Sequence, residues 1–260
     1  METNLPTLHG RTAVVPGSSS GLGLAVARAL AAEGANVVMA ARRGDVVRAE
    51  TERLPSAVAL ELDLGDPGAP AELVREAVER FGQVDIVVLN SGGPPPGRAA
   101  DLTDEQLTAA VHQLLLQHQR LVAAVLPGMR ERGWGRVTAI GSSGVQQPIE
   151  RLALSNIGRA GLAAYLKSLA SEVAADGVTV NMVLPGRIDT ERVASLDRSA
   201  GERAGVSADE ARARSEAAIP AGRYGTPEEF AAVVAFLASP AASYVTGEQI
   251  RCDGGMVRSY

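Results

Sequence analysis

The sequence contains very little cysteine, few aromatic residues and no long apolar run. Cys252 is the one cysteine among 260 residues, so no disulfide can form within the chain, which is compatible with a reducing cytoplasm. No stretch approaches the ~20 apolar residues that a membrane-spanning helix needs. Residues 1–10 lack the basic-then-apolar pattern of a signal peptide. We therefore expect a cytoplasmic protein with no membrane partner.

The sequence also has no excess of positive charge. Its 25 Lys and Arg residues and 30 Asp and Glu residues give a formal net charge of −5. A nucleic-acid-binding domain usually presents a basic face, so we expect no nucleic-acid partner. The three histidines (His9, His112 and His118) are not at metal-ligand spacing, and we expect no metal site.

Short apolar runs alternate with amphipathic helical patterns along the chain. The predicted helices are Leu22–Glu33, Pro70–Phe81, Leu107–Arg132 and Leu152–Ala175. The alternation predicts βαβ crossovers, and hence an α/β protein: a three-layer, doubly wound, Rossmann-like parallel sheet in a single domain spanning residues 1–260. The predicted strands are Thr12–Val15, Asn36–Ala40, Val58–Leu62, Val84–Leu89, Arg136–Ile140 and Val178–Val183, with a last strand in 249–260.

The polar stretch 187–222 departs from this alternation. Its length and position before the last helix favour a helical flap, a probable substrate lid within the domain. Its arginines could contact an acidic ligand, although a solvated flap is the simpler interpretation. They are Arg192, Arg198, Arg203, Arg212 and Arg214.

A glycine-rich loop follows the first strand and opens the first helix. The glycines have the spacing Gly17-x-x-x-Gly21-x-Gly23. Glycine allows the backbone to approach a ligand closely, and a helix N-terminus offers unpaired N–H groups to a phosphate. The alternative is a tight strand-to-helix turn. In the strand–turn–helix context, the pattern predicts a dinucleotide site.

Three later strand ends extend this prediction. Arg42 and Arg43 follow the second strand, where an acidic residue would bind the ribose of NAD, and guanidinium groups instead favour the 2′-phosphate of NADP. Asp63 ends the third strand and Asn90 the fourth, and both are predicted cofactor contacts. Either could instead be a turn or loop residue, and Arg42 and Arg43 could form a solvated basic loop.

Together these motifs resemble the short-chain dehydrogenase/reductase family over most of the chain, with a C-terminal half similar to bacterial 3-oxoacyl-carrier-protein reductases. Further matching pieces are Ile140-Gly141-Ser142, Val180–Gly186, Arg223–Glu229 and Asp253-Gly254-Gly255. The resemblance implies a nicotinamide cofactor, a small-molecule substrate and a homodimer or homotetramer, and the two arginines favour NADP rather than NAD as that cofactor. The predicted cofactor contacts are then Gly17, Ser19, Ser20, Gly21, Leu22, Gly23, Arg42, Arg43, Asp63, Leu64, Asn90, Ser91, Gly92, Arg159, Pro185, Gly186, Ile188 and Thr190.

The positions of the family's catalytic residues are largely replaced. The family uses an Asn, a Ser, a Tyr and a Lys, and alignment places Leu114, Ser142, Ser155 and Arg159 at those positions. Pro16 also replaces the family's usual threonine.

A displaced Tyr–Lys pair does not fill the gap. Tyr165 lies ten residues beyond Ser155, about 80° off that helix face and ~15 Å along it. Lys167 is two residues further, so the two side chains point in different directions. We interpret both as packing or interface residues.

The residues that remain predict a polar, cationic and poorly titrating site. It comprises Ser142, Ser155, Asn156 and Arg159. The sequence resembles a subgroup that shares the Asn90–Gly97 stretch and these Ser, Asn and Arg residues, which favours a retained alternative site. The leading hypothesis is an NADP-dependent oxidoreductase that reduces a carbonyl or an activated alkene. The alternatives are a cofactor-binding sensor or partner protein without turnover, and an isomerase, dehydratase or cyclase on the same fold.

Overall fold

A computed structural model describes residues 8–259, so residues 1–7 and Tyr260 of the predicted domain lie outside the described part. The described chain forms one seven-stranded sheet with the order β3-β2-β1-β4-β5-β6-β7, and all neighbouring strands are parallel. The prediction of a doubly wound, Rossmann-like α/β fold is confirmed. The strands are β1 (Thr12–Pro16), β2 (Asn36–Ala41), β3 (Ala57–Glu61), β4 (Ile86–Leu89), β5 (Gly135–Ile140), β6 (Val178–Pro185) and β7 (Gln249–Cys252).

Helices follow the strands and cover both faces of the sheet. Several begin at a side-chain cap: Thr226, for example, forms a capping box with Glu229 ahead of the final helix. The α-helices are α1 (Gly21–Ala32), α2 (Gly44–Thr51), α3 (Ala69–Phe81), α4 (Asp104–Val111), α5 (Gln117–Glu131), α6 (Ala153–Val173), α7 (Glu191–Ala204), α8 (Ala208–Ala217) and α9 (Pro227–Ala238).

Two apolar cores lie on opposite faces of the sheet. Val14 packs into the core formed with α3, α5 and α6, whereas its neighbour Val15 packs into the core formed with α1 and α9. Successive side chains of a strand point to opposite faces, so a strand covered on both sides must be apolar throughout. This explains why the central strands have near-continuous Val, Ile and Leu runs.

The prediction of one uninterrupted helix over Leu107–Arg132 is wrong. The helix begins at Asp104 because Thr103 and Gln106 form a capping box, and a π turn over His112–Leu116 separates α4 from α5. A π turn inserts one extra residue while keeping the overall helical path, so a pattern of apolar spacing does not reveal it. It places Leu114 in a fully buried position.

Other boundaries also differ from expectation. The fourth strand begins at Ile86 rather than Val84, because the carboxylate of Asp85 accepts a hydrogen bond from Thr12 N at 3.0 Å. The short helix α2 was not predicted. The stretch 187–222 contains α7 and α8, which gives the expected helical character, while its role as a lid stays a prediction.

The crossovers from β1 and β4 lead to opposite faces of the sheet, since α1 belongs to one core and α5 to the other. A crevice therefore opens at the carboxyl ends of these two neighbouring strands, where ligands bind in sheets of this kind. Within residues 8–259, no helix is both long enough and apolar enough to cross a membrane.

Candidate active site

A single large cleft of about 1680 Å³ lies over the carboxyl ends of the strands. The glycine-rich loop forms one wall, and α4, α6 and the first turn of α7 contribute the others. Every residue that the sequence analysis predicted to contact the cofactor lines this cleft. The structure thus brings the predicted set together, while contact with a cofactor stays a prediction.

The backbone of the glycine-rich loop lies so close to neighbouring atoms that side chains on its glycines would not fit. Gly17 and Gly21 have φ values of +62° and +58°, a region that glycine adopts without strain. A Cβ atom on Gly23 would lie 2.3 Å from the carbonyl oxygen of Gly17. The N-cap residue of α1, Ser20, makes no side-chain cap, so the first N–H groups of α1 have no side-chain acceptor. This arrangement fits a phosphate group.

Asn90 supports that loop. Its side-chain nitrogen Nδ2 donates hydrogen bonds to the carbonyl oxygens of Pro16 at 3.1 Å and Gly17 at 3.2 Å. Both donors of the amide are therefore used within the protein. Asn90 lines the cleft as expected, and its hydrogen bonds give it a positioning role that the sequence did not indicate.

The two arginines after β2 differ in their surroundings. Arg43 donates to the hydroxyl groups of Ser19 at 3.0 Å and Ser20 at 2.9 Å, and so is held against the glycine-rich loop. Arg42 is exposed and forms no hydrogen bond or ion pair within the described residues. A free guanidinium next to a dinucleotide cleft is suited to a phosphate monoester.

Asp63 forms a turn, which was the alternative to its predicted cofactor contact. Its Oδ1 atom accepts a hydrogen bond from the backbone N–H of Gly65 at 2.9 Å. The residue still lines the cleft, so a cofactor contact through the second carboxylate oxygen stays a prediction.

Three of the four predicted catalytic residues meet at the other end of the cleft. Ser155 and Arg159 are one turn apart on α6 and lie on the same face. Ser142 follows β5, and its hydroxyl accepts a hydrogen bond from Gly144 N at 3.0 Å. All three side chains line the cleft.

Arg159 is buried, with 8% of its surface exposed. It donates a hydrogen bond from Nη1 to the carbonyl oxygen of Ile140, and it forms no ion pair with any described carboxylate. Burial, followed by the nearby charge of Arg192, lowers the pKa of Arg159 to about 10. The guanidinium therefore remains charged at neutral pH.

Asn156, the fourth predicted catalytic residue, lies outside the cleft lining. Its Nδ2 atom donates to the carbonyl of Ile149 at 3.0 Å, and its Oδ1 atom accepts from the N–H of the same residue at 3.3 Å. The amide is occupied in holding the loop before α6, because it reaches both backbone groups of one residue. These hydrogen bonds give Asn156 a positioning role, and nothing in the geometry supports the predicted catalytic role, which stays a prediction.

The residue at the aligned Asn position and the displaced Tyr and Lys do not line the cleft. Leu114 is fully buried, and a Cβ atom on Gly158 would lie 2.7 Å from its Cδ1 atom. Tyr165 packs against the core on the α6 side, and burial raises the pKa of its hydroxyl. Lys167 donates to the carbonyl of Gly247 at 2.8 Å. These contacts agree with packing roles for Tyr165 and Lys167.

Two histidines were not among the site residues predicted from the sequence, and of these His112 lines the cleft whereas His118 does not. His112 lines the cleft at the start of the π turn and lies 3.3 Å from Arg120 Nη1. His118 is buried with its Nε2 atom 3.4 Å from Ser91 Oγ, and desolvation, then the charge of Arg159, lowers its pKa to about 3. No sequence signal could separate these histidines from a polar helix face. Lining residues with no sequence signal at all are Glu105, Gln113, Ile149, Leu196, Met256 and Val257.

Comparison with known proteins accounts for this architecture. A family model described as enoyl-(acyl carrier protein) reductase matches residues 17–257. The 3-oxoacyl-(acyl-carrier-protein) reductase FabG of Escherichia coli is 36% identical over 249 residues, which cover 95% of this chain and 98% of that protein. The chain belongs to the short-chain dehydrogenase/reductase family. The resemblance inferred from the glycine loop and strand ends is thereby confirmed at the level of the family.

Solved structures of other short-chain dehydrogenases/reductases have the same fold. The actinorhodin polyketide ketoreductase, solved with NADPH, matches with a TM-score of 0.90 and 34% identity over 96% of this chain and 98% of that chain. YwfH, an NADPH-dependent reductase involved in bacilysin biosynthesis, matches with a TM-score of 0.92 and 28% identity over 96% and 99% of the two chains. Both are named as reductases, and both names include NADPH.

Proposed function

We propose that this short-chain dehydrogenase/reductase uses NADPH to reduce a carbonyl group or an activated alkene in a small molecule, with a non-standard catalytic site. The observation that supports this most directly is the single cleft. One end carries the glycine-rich loop with Arg42 and Arg43, and the other carries Ser142, Ser155 and Arg159. A dinucleotide site and a polar cationic site thus share one continuous space.

The described residues fit the cofactor in three places. The glycine loop and the uncapped start of α1 suit the diphosphate. Arg42, which has no hydrogen bond or ion pair among the described residues, suits the 2′-phosphate, and Arg43 is fixed beside it by Ser19 and Ser20. YwfH is NADPH-dependent and the actinorhodin ketoreductase was solved with NADPH, and both similarities support NADPH as the cofactor. The cofactor, when bound, supplies the hydride.

The chain's own residues would then orient and polarise the substrate. Ser142 and Ser155 can donate hydrogen bonds to the substrate oxygen, and Arg159 supplies a fixed positive charge toward the oxyanion that develops there. Pre-positioned donors and charges in a cleft with little water stabilise a developing charge strongly. No water-mediated relay through Leu114 is available, because its side chain is apolar and fully buried.

The site has no good proton donor. A serine hydroxyl is much less acidic than the phenol at the same position in relatives, and Arg159, with a pKa of about 10, stays protonated. General acid catalysis typically contributes 10²–10⁴-fold. An activated alkene requires stabilisation of the enolate oxygen more than a fast proton donor at it, so the site favours alkenes over simple ketones.

The flap 187–222 would act as the substrate lid of the proposed reaction. Residues 190–193 and Leu196 line the cleft. Arg212 pairs bidentately with Asp189 at 3.0 and 2.9 Å, which ties α8 to the start of the flap. Tyr224 and Arg187 both bond Asp197, on α7. These contacts hold the flap against the strand ends.

The decisive test measures cofactor binding and turnover separately. Calorimetric titration with NADPH, NADH, NADP⁺ and NAD⁺ is expected to show tight binding of the phosphorylated pair. Turnover is then followed by NADPH absorbance across ketones and enones, with Ser155→Ala and Ser142→Ala as variants. Loss of turnover by about 10–100-fold in each variant would support their proposed contacts.

Other results of the binding and turnover tests would favour one of the two alternative functions. Tight NADPH binding without turnover on any ketone or enone would favour a cofactor-binding sensor or partner, which the loss of the Tyr, Lys and Asn residues also suggests. Failure to bind any of the four dinucleotides would overturn the oxidoreductase proposal. An isomerase, dehydratase or cyclase would then be the better hypothesis.

A further inference from the structure

We propose that the catalytic end of the cleft binds an anionic group, a carboxylate carried by the substrate, between Arg159 and Arg192. This inference rests on the proposed function and specifies its substrate as an acid rather than a neutral ketone or enone. It follows from two cations that share one cleft without an ionic partner in the described residues.

Arg159 is the first of these cations. With 8% of its surface exposed, it has lost most of its hydration, and its one hydrogen bond in the described structure is to the neutral carbonyl of Ile140. A buried charge normally requires an opposite charge and several hydrogen bonds to offset desolvation. A guanidinium has five N–H donors, so most of its donor capacity remains for a ligand.

Arg192 is the second cation, and it is located across the cleft in the first turn of α7. Its Nη2 atom donates to the carbonyl of Pro94 at 3.2 Å and lies 2.9 Å from the position of a Cβ atom on Gly93. The guanidinium therefore leans over the loop that follows β4. It is close enough to Arg159 to lower the pKa of that residue. Two like charges facing the same space repel each other until an anion lies between them.

Several neighbouring arginines do have carboxylate partners. Arg187 pairs with Asp197 at 3.3 Å, Arg212 with Asp189 and Arg223 with Glu229. Four carboxylates also line the cleft, but they are exposed and none forms an ion pair with Arg159 or Arg192. They belong to Asp63, Asp104, Glu105 and Glu191. Of the five flap arginines singled out from the sequence, Arg192 is the one that lines the cleft, and it forms no ion pair with a described carboxylate.

The anion could come from the cofactor or from the substrate, and the geometry favours the substrate. The glycine loop and α1 already provide for a diphosphate, and Arg42 for a 2′-phosphate, at the other end of the cleft. The ribose hydroxyls that a cation at position 159 could also contact are neutral, so they would leave its charge uncompensated. Arg159 lies one turn from Ser155, which places the anion next to the reacting group.

The test uses the full chain saturated with NADP⁺ and a series of straight-chain carboxylates from acetate to octanoate. Each is paired with its neutral primary amide, and binding is measured by calorimetric titration. The same titration is made on the protein without cofactor. We expect at least one carboxylate to bind about tenfold or more tightly than its amide.

Two variants locate the effect. Arg192→Gln is expected to reduce the preference for carboxylate about tenfold, whereas Arg198→Gln, which removes an equal charge from the same helix outside the cleft lining, should preserve it. Equal binding of acid and amide, no binding of any member at about 10 mM, or an equal loss in both variants would overturn the proposal.

A further titration, of Arg192→Gln with NADP⁺, distinguishes an anion of the cofactor from one of the substrate. If Arg192→Gln weakens NADP⁺ while the carboxylate preference is unchanged, the anion belongs to the cofactor and the proposal of an acidic substrate is wrong. Because these titrations measure binding alone, they can succeed when the turnover screen fails. The failure of the proposed function and of the anion site are therefore distinguishable.

Discussion

The guanidinium of Arg159 donates a hydrogen bond to the carbonyl oxygen of Ile140 and has no described carboxylate partner. This bond fixes the cation two residues before Ser142, at the end of β5, and on the same helix face as Ser155. The result is a charged group presented to the cleft and held by the backbone. Such a group can stabilise a developing negative charge without reorganising during the reaction.

The first prediction concerns the free energy of unfolding, which the buried charge of Arg159 should lower. Replacing a buried ion by an apolar side chain of similar volume is often stabilising, so Arg159→Met is expected to raise the free energy of unfolding by about 1–2 kcal/mol. Arg187→Met is the matched control because Arg187 pairs with buried Asp197, and its loss should destabilise by about 3 kcal/mol. Urea denaturation measures both. A less stable Arg159→Met protein would mean that the charge of Arg159 is already compensated.

The glycine loop provides a second prediction, on cofactor binding. Gly23→Ala would place a methyl group 2.3 Å from the carbonyl of Gly17 and 2.7 Å from Asn90 Nδ2, so the loop must shift. We expect the Kd for NADPH to rise about 100-fold or more by calorimetry. Gly161→Ala, whose methyl group would meet Leu115 Cδ2 at an ordinary 3.5 Å, should leave the Kd unchanged. Equal effects in the two variants would contradict this explanation.

A third prediction concerns the choice between NADPH and NADH. A charge-assisted hydrogen bond contributes about 1.5–3 kcal/mol, so Arg42→Ala should weaken NADPH about 10–100-fold and leave NADH nearly unchanged. Arg53→Ala, which removes an exposed arginine outside the cleft lining, is the control. Parallel titrations with both dinucleotides give the answer. A similar loss of NADH affinity in Arg42→Ala would show that Arg42 does not select the 2′-phosphate.

The homodimer or homotetramer expected from the sequence stays a prediction, and the structure suggests where to test it. Ile157 on α6 and Leu116 at the end of the π turn are 42% and 41% exposed, on elements that pack against each other. An exposed apolar surface of this kind is suited to a two-fold contact. Light scattering should show a mass two or four times that of the chain, which Ile157→Glu lowers and Val78→Glu, on distant α3, does not. A monomeric wild-type chain would exclude the oligomer.

The fold and the cofactor end of the cleft could be predicted because their signals are local. Buried parallel strands must be apolar on both faces, and Gly17, Gly21 and Gly23 mark a loop that needs positive φ and close backbone approach. The sheet order then brings all the strand ends to one edge. Each residue placed at a strand end accordingly lines the cleft.

The remaining features depend on contacts between distant residues. Asn90 and Asn156 are both polar residues in suitable positions, yet the partners of each amide are backbone groups whose location only the folded chain defines. The π turn inserts a residue without a change in composition. The lack of a carboxylate partner for Arg159 within residues 8–259 is a spatial feature that no motif encodes.

His118 is the source of the final prediction, on stability against pH. Desolvation and the charge of Arg159 lower its pKa to about 3, whereas an unfolded chain would have a value near 6.5. Between these two pH values the unfolded state binds the proton and the folded state does not, so stability is full above about 6.5 and falls as the pH decreases. One such proton corresponds to roughly 1.4 kcal/mol per pH unit.

Urea denaturation at several pH values from 7.5 to 4.5 measures this slope in the wild-type protein and in His118→Gln. The variant cannot take up the proton, so its stability should decline less steeply by about one proton over this range. His112→Gln is the matched control, since it changes a second histidine of the same helical segment at a more exposed position. The single variant Arg159→Met, with His118 retained, separates the two causes of the lowered pKa. Removing the charge should raise the pKa of His118 and reduce the slope only in part, because desolvation is the larger cause. Equal slopes in wild type and His118→Gln would contradict the neutral, desolvated state of the His118 imidazole in the folded protein.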